Sequence, residues 1–353
     1  MRFIPNWREN SVLVAGLKVV AFGVFLGGMA PTLAGAAEVN VYTTREPGLI
    51  KPLFEAFTKQ TGIEVRATFV QQGLAERVAA EGRNSPADLL TEADYGSLIN
   101  LAEKGLTQKI DSAVLSQAVP VALRDPDGSW YALSMRARAI WVSKDRVLDQ
   151  TLTYENLADP RWKGRVCTRA GQHPYNVGLV SRMIAKNGAE ATEKWLAGVK
   201  ANLVRKPGGG DRDVARDILA GICDIGIGHS YYVGLMRSGK GGKDQESWGN
   251  AISVILPTFA DGKGSHVDVS GAAVARYAPN KENAVKLLEF MVGDEAQKIY
   301  AEIDYEYPVK EGAKIDPLIA ALGRLKIDPE SLISVAARRK DASQLLDKIG
   351  FDN

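Results

Sequence analysis

The stretch VNVYTTREPGLIKPLFEAFTKQTGIEVRATF, residues 39–69, changes its hydrophobic period twice. Val39 and Val41 alternate with polar neighbours as in a half-buried strand. Leu49, Leu53 and Phe57 then recur at helical spacing, and Ile63, Val65, Ala67 and Phe69 alternate again. A strand, a helix and a second strand in this order make a β-α-β unit, whose strands run parallel because the helix carries the chain back along the sheet. The pattern continues with a helix around 74–80, a strand at 87–90 and a helix around 98–103. Such alternation predicts an α/β domain with a mainly parallel sheet, in which ligands sit beyond the carboxyl ends of the strands. The loop 43–48 is then one expected wall of a binding site.

Downstream, a second α/β region reads from residue 141 onward, with strands at 164–168, 203–205, 222–227 and 251–256 and helices at 178–186, 190–197 and 212–220. A loop rich in small residues at 261–270 offers the chain a way back to the first region. Asn280 is placed to cap a helix carrying Val285, Leu288 and Met291, and two more helical patterns follow Pro317 and Pro329.

Upstream of Val39, Arg2, Arg8 and Lys18 lead into the uncharged stretch 19–37, and Ala34-Gly35-Ala36 supplies the small residues of an export cleavage site. Residues 1–36 therefore read as a signal peptide, and Gly27, Gly28 and Pro31 interrupt the apolar run that a retained membrane anchor would need. The 353 residues are 45% hydrophobic and 24% charged, enough for two globular cores and unlike a disordered or fibrous chain. Without Arg2, Arg8, Lys18 and Glu9 of the leader, 41 basic residues face 41 acidic ones, which gives no basis for a nucleic-acid or anionic-membrane partner. Cys167 and Cys223 are the only cysteines. In an exported chain an even pair reads as one disulfide, here between two strands of one sheet, whereas a metal or redox pair is expected closer together, as C-x-x-C.

The segment CDIGIGHSYYVG, residues 223–234, reads as a buried strand that ends in small residues and then presents two adjacent tyrosines. Neighbours on a helix point about 100° apart and on a strand to opposite faces, so Tyr231 and Tyr232 converge on one point only at a loop or a helix start. Ser230 is placed to cap such a helix, whose dipole favours phenolate in its first turn. A tyrosine pKa of about 10 still requires a strong local cation for ionisation at neutral pH, and a trivalent metal supplies it. Hard cations prefer oxygen, and tyrosinate is a ligand of ferric iron. Tyr175, in QHPYNVG (172–178), follows the Cys167 strand by a short loop, so pairing of the cysteines would bring it near Tyr231 and Tyr232.

Other signals are weaker. Gly208-Gly-Gly-Asp211 before a helix lacks the lysine and spacing of a nucleotide loop and reads as a turn. Ser230 sits in an incomplete nucleophile elbow with Tyr232 where glycine is needed, and His266 alone follows it as a general base, which defines a secreted-hydrolase alternative. His173 and His229 each precede a tyrosine by two residues, which would suit hydrogen-bond donors to it, but they read first as surface or satisfied-core histidines.

The segments VNVYTTREPG (39–48), SMRARAIWVSKD (134–145), YENLADPRWKGRVCTRAGQHPYN (154–176), GDRDVARDILAGICDIGIGHSYYVGLM (210–236) and NAVKLLEFMVGDEAQKIYAEIDYEYPV (283–309) resemble the periplasmic ferric-ion-binding proteins that feed ABC-type iron importers. The likeness extends over essentially the whole mature chain. It implies a two-lobed α/β fold of the type II periplasmic-binding-protein kind, with the cleft between an N-terminal lobe (37–135 plus 258–308) and a C-terminal lobe (136–257 plus 309–353). It also implies a monomer in the periplasm that is not an enzyme and that delivers Fe(3+) to an inner-membrane permease. By match of motif the metal ligands are Tyr175, Tyr231 and Tyr232, and Arg136 lies near the metal, where a synergistic anion such as carbonate binds. A guanidinium suits a planar oxyanion. Many members carry a His-Tyr pair after the first strand, where this chain has Arg45-Glu46-Pro47. The first-lobe donors then left are Glu46, Tyr42, an anion held by Arg45, or water. The alternative within binding proteins is a small organic anion or iron chelate held by Arg136 and Arg45.

Overall fold

The period changes of residues 39–69 become β1 (Glu38–Thr43), α1 (Pro47–Thr61) and β2 (Glu64–Phe69), with β1 and β2 parallel and Val41 beside Ala67. The computed structural model describes residues 37–353, so the expected leader lies outside the described residues. Pro47 opens α1, where its missing N–H needs no partner, and Gly62 closes it at φ 74°, a left-handed turn that favours glycine. The chain continues through α2 (Leu74–Glu81), β3 (Leu89–Glu92), α3 (Tyr95–Glu103), α4 (Ala113–Ala118) and β4 (Tyr131–Ser143). The second region holds β5 (Val166–Cys167), α5 (Pro174–Asn187), α6 (Ala189–Asn202), α7 (Asp211–Leu219), β6 (Ile225–His229), α8 (Ser230–Arg237), α9 (Lys243–Asn250) and β7 (Ile252–Ile255). The last elements are β8 (Val267–Val274), α10 (Lys281–Met291), α11 (Asp294–Asp304), β9 (Tyr307–Pro308), α12 (Pro317–Ala320), α13 (Leu332–Ala336) and α14 (Arg339–Lys348). Among the described residues no helix is long and apolar enough to cross a membrane.

The strands follow the order β2-β1-β3-β8-β4-β6-β5, with β7 and β9 also paired to β4. β4 joins the two halves: Tyr131 to Ala137 pair with β8, and Arg138 to Val142 pair with β6. This 13-residue strand is buried on both faces throughout, so it carries no alternation for a sequence reading to detect. In its second half Ile140 and Val142 enter one core while Ala139 and Trp141 enter another, as the two-residue period dictates. The first core gathers α1, α3, α10 and β1 side chains such as Val41, Leu53, Leu98 and Leu288. The C-terminal helices divide between cores, with Leu332 and Val335 in the first and Leu345 and Leu346 in the second.

Several boundaries differ from expectation. The strand expected at 87–90 starts at Leu89, and just ahead of it the Asp88 carboxylate accepts from the Asn40 and Asn280 backbone N–H groups. The expected strand at 203–205 is reduced to a single bridge from Leu203 to Val166. The loop expected at 261–270 becomes strand from Val267, because Asp268 and Ser270, polar in sequence, find buried partners. Cys167 and Cys223 form the disulfide, with Cα atoms 5.9 Å apart, but Cys223 lies just ahead of β6 rather than within it.

Candidate functional site

Parallel β5 and β6 run side by side, and each hands over to a helix whose first turn carries tyrosine. At the end of β6 a side chain on Gly228 would meet the Trp141 ring at 2.3 Å, so only glycine lets this strand pass close to β4. His229, not Ser230, occupies the N-cap of α8, because the Ser230 hydroxyl accepts the Ala137 backbone N–H at 3.1 Å. Tyr231 and Tyr232 nevertheless stand in the first turn, their ring centroids 4.0 Å apart. In α5, Pro174 occupies the first position and the His173 Nδ1 accepts the Tyr175 backbone N–H at 3.3 Å. The edge of the buried His229 ring meets Tyr175 at 4.2 Å and lies 6.3 Å from Tyr231. Arg136 places its guanidinium 5.4 Å from the Tyr175 ring and 5.8 Å from the Tyr231 ring. The three tyrosines and Arg136, far apart in sequence, thus share one point at the starts of two helices.

Burial keeps the phenols at that point protonated. Burial raises the Tyr175 hydroxyl above its ordinary pKa against the pull of Arg136. Burial, followed by its neighbours Tyr232 and Tyr175, raises Tyr231 well above its ordinary value as well. The groups repel one another as phenolates, so ionisation of all three requires a strong Lewis acid among them. His229 is kept neutral by burial and by the guanidinium charges of Arg138 and Arg136, and neither ring nitrogen has a hydrogen-bond partner. Among the described residues no group of three or more His, Cys, Asp or Glu side chains could hold a metal ion, which leaves the phenols as the clustered oxygen donors.

Arg136 is buried and already paired. It lies 3.5 Å from Asp268 and 3.6 Å from Glu306, and it donates to the Ser270 hydroxyl at 2.9 Å and to the Ala93 carbonyl. Burial opposes its charge, but Asp268, Tyr175 and Glu306 outweigh that and hold it protonated. Arg45 is committed in the same network, with Asp304 at 2.6 Å, Glu306 at 2.9 Å and the Ser270 hydroxyl as partners. The Tyr42 hydroxyl donates to Glu81 at 3.0 Å and accepts from Arg77 at 3.2 Å, and Glu46 is an exposed residue ahead of α1. The structure therefore does not bring Tyr42 or Glu46 to the tyrosine cluster. His266 is buried edge-on to Tyr95, and burial pushes its pKa down to about 3, so it does not face Ser230 as a base.

A cavity of about 590 Å³ opens from Tyr175 and His173 toward the first core, where Thr44, Gln72, Glu92 and Asp94 line it. Glu92, at the carboxyl end of β3, receives the Thr44 hydroxyl at 2.8 Å, and burial pushes its pKa up to about 8. The sequence reading missed this carboxylate although its position, last in a parallel strand, is where α/β sites gather ligands. Arg138, two residues past Arg136 in the same segment, was also passed over.

The chain matches the family described as bacterial extracellular solute-binding protein over residues 42–298. It is 38% identical to iron uptake protein A2 of Synechocystis, over 90% of this chain and 91% of that one. Among solved structures, a Bordetella ferric binding protein superposes with a TM-score of 0.85 at 58% identity, over 90% of this chain and all of that one (100%). A Trichodesmium protein solved in complex with iron and citrate ligands superposes with a TM-score of 0.84 at 36% identity, over 89% of this chain and 100% of that one. The curled mixed sheet with helices on its faces is accordingly the type II solute-binding fold, and the chain belongs to the family of bacterial extracellular solute-binding proteins.

Proposed function

We propose that this protein captures ferric iron outside the cytoplasm through the phenolate oxygens of Tyr175, Tyr231 and Tyr232 and delivers it to an ABC-type importer. The observation that carries the reading is the convergence of these three hydroxyl-bearing side chains at two neighbouring helix starts, against the Arg136 guanidinium. Iron(III) replaces the phenolic protons, and Arg136 together with the positive ends of α5 and α8 balances the charge that appears on oxygen. Glu92, beside Glu76 and Asp94, is a carboxylate on the first-core side of the cavity, and an anion such as carbonate or an organic acid fills coordination positions left over. The names of the relatives, iron uptake protein and ferric binding protein, support the choice of cargo.

The remaining parts of the proposal are a leader cleaved near Ala37, a periplasmic monomer that is not an enzyme, and an inner-membrane permease as receiver. The lobes divide at 37–135 plus 258–308 and 136–257 plus 309–353, except that α12 and α13 pack through Ile319, Leu332 and Val335 in the first core, and close on the cleft. An organic anion held by Arg136 and Arg45 as sole cargo is disfavoured, since both guanidinium groups already have buried carboxylate partners.

Titration of the mature protein with a weakly chelated ferric salt, followed in visible absorption, tests the reading. A saturable charge-transfer band at one equivalent, bleached by reductant and missing in the Tyr231→Phe, Tyr232→Phe double variant, is the expected result. A colourless wild-type protein would overturn it.

A further inference from the structure

We infer that Arg138 is a positioning residue for the tyrosine cluster, because one guanidinium ties the helix start that carries Tyr175 to the helix start that carries Tyr231 and Tyr232. The inference rests on the iron reading of that cluster. β4 sets Arg138 opposite His229 in the ladder, and its side chain is 0% exposed. From there its two terminal nitrogens reach different elements. Nη1 donates to the Asp211 Oδ2 at 2.6 Å, and Nη2 donates to the Asn176 Oδ1 at 2.6 Å.

Each partner is locked in turn. Asn176 follows Tyr175 in the first turn of α5, and its amide nitrogen donates to the Thr168 hydroxyl at 3.2 Å and to the Arg169 and Ala170 carbonyls at 3.1 Å. Those bonds close the loop from β5 into α5. Asp211 Oδ2 also accepts the His229 backbone N–H at 2.9 Å, at the residue where β6 gives way to α8, and its other oxygen lies 3.3 Å from Arg169. Next to Arg138, the Ala137 N–H donates to Ser230 at the head of α8.

A purely charge-balancing arginine needs only Asp211. The second arm, directed at a neutral amide beside Tyr175, makes this group a spacer of fixed shape, since a guanidinium is planar and its N–H directions do not vary. Ligands that must meet on one ion tolerate misplacement of only about 0.5 Å, and such supporting contacts set that placement. The Arg138 side chain bonds to Asp211 and Asn176 and to none of the three tyrosines, so its action is through Asn176, Asp211 and His229.

The test compares Asn176→Ala, which cuts the arm to α5 together with the loop-closing bonds of the same side chain, with Arg138→Lys, which keeps the charge and those loop bonds but loses the fork. Expected is a ferric affinity about 10–100-fold weaker in each, with a displaced charge-transfer band, in protein that still unfolds cooperatively. Wild-type affinity and band position in folded Asn176→Ala would overturn the inference, and this variant decides if Arg138→Lys does not fold. Ring-labelled tyrosine NMR of the iron-free proteins separates the two readings. If wild-type protein binds no iron, the iron reading falls, yet a displaced Tyr175 resonance in Asn176→Ala still supports positioning, and unchanged tyrosine resonances overturn it.

Discussion

At Glu92 the protein keeps a carboxyl group where burial resists its charge, and the consequence is a pH dependence. Its folded pKa of about 8 lies above the ordinary 4.5, so between those values the folded state holds a proton that the unfolded chain has released. The contribution of Glu92 to stability is therefore fully present below about 4.5 and is lost as pH rises through about 8. Thermal melts of the iron-free protein should show a downward slope over this range that Glu92→Gln flattens. Arg136, by contrast, is held in its charged form by Asp268, Tyr175 and Glu306. Removing it in Arg136→Ala leaves buried Asp268 without its counter-charge and Glu306 with Arg45 alone, and chemical denaturation should register a loss of about 3–5 kcal/mol. The tyrosines were legible at this scale because adjacency is unusual. The carboxylate that faces them was not, since nothing in the order of residues says which acids a fold will bury.

At the scale of elements, the start of α8 is held by contacts that leave no room. A side chain on Gly234 would meet the Tyr305 ring at 2.3 Å, with Tyr305 itself held at φ 57° in the left-handed region. Gly234→Ala should push α8 outward, lowering stability by about 1–3 kcal/mol in denaturant titrations and weakening iron binding through Tyr231 and Tyr232. The Cys167–Cys223 disulfide closes a loop of 56 residues in sequence separation around α5, α6 and α7. Replacing both cysteines by serine should cost about 4 kcal/mol, measured as a lower denaturation midpoint with a steeper slope, because the unfolded chain without its crosslink exposes more surface. Helices and amphipathic strands were legible here by their periods. β4 was not, because a strand buried on both faces and carrying paired arginines has no alternation to read.

For the whole molecule, β4 and β8 are the strands through which the halves communicate, and Arg45, Arg136, Ser134, Ser270 and Glu306 meet at that crossing. The proposed closure of the lobes would turn about this buried polar joint. Small-angle scattering should record a smaller radius of gyration on addition of ferric ion, and an unchanged radius would remove closure from the proposal.

The sequence by itself determined the α/β alternation, the disulfide pair and the three tyrosines, because period, cysteine number and side-chain chemistry are properties of local order. Only the tertiary structure decided that Arg45 and Tyr42 are occupied elsewhere, that Glu92 faces the cavity, and that Arg138 holds both helix starts. Those outcomes depend on which distant groups share a buried space, and burial turns an otherwise ordinary charge into one that must find its partner.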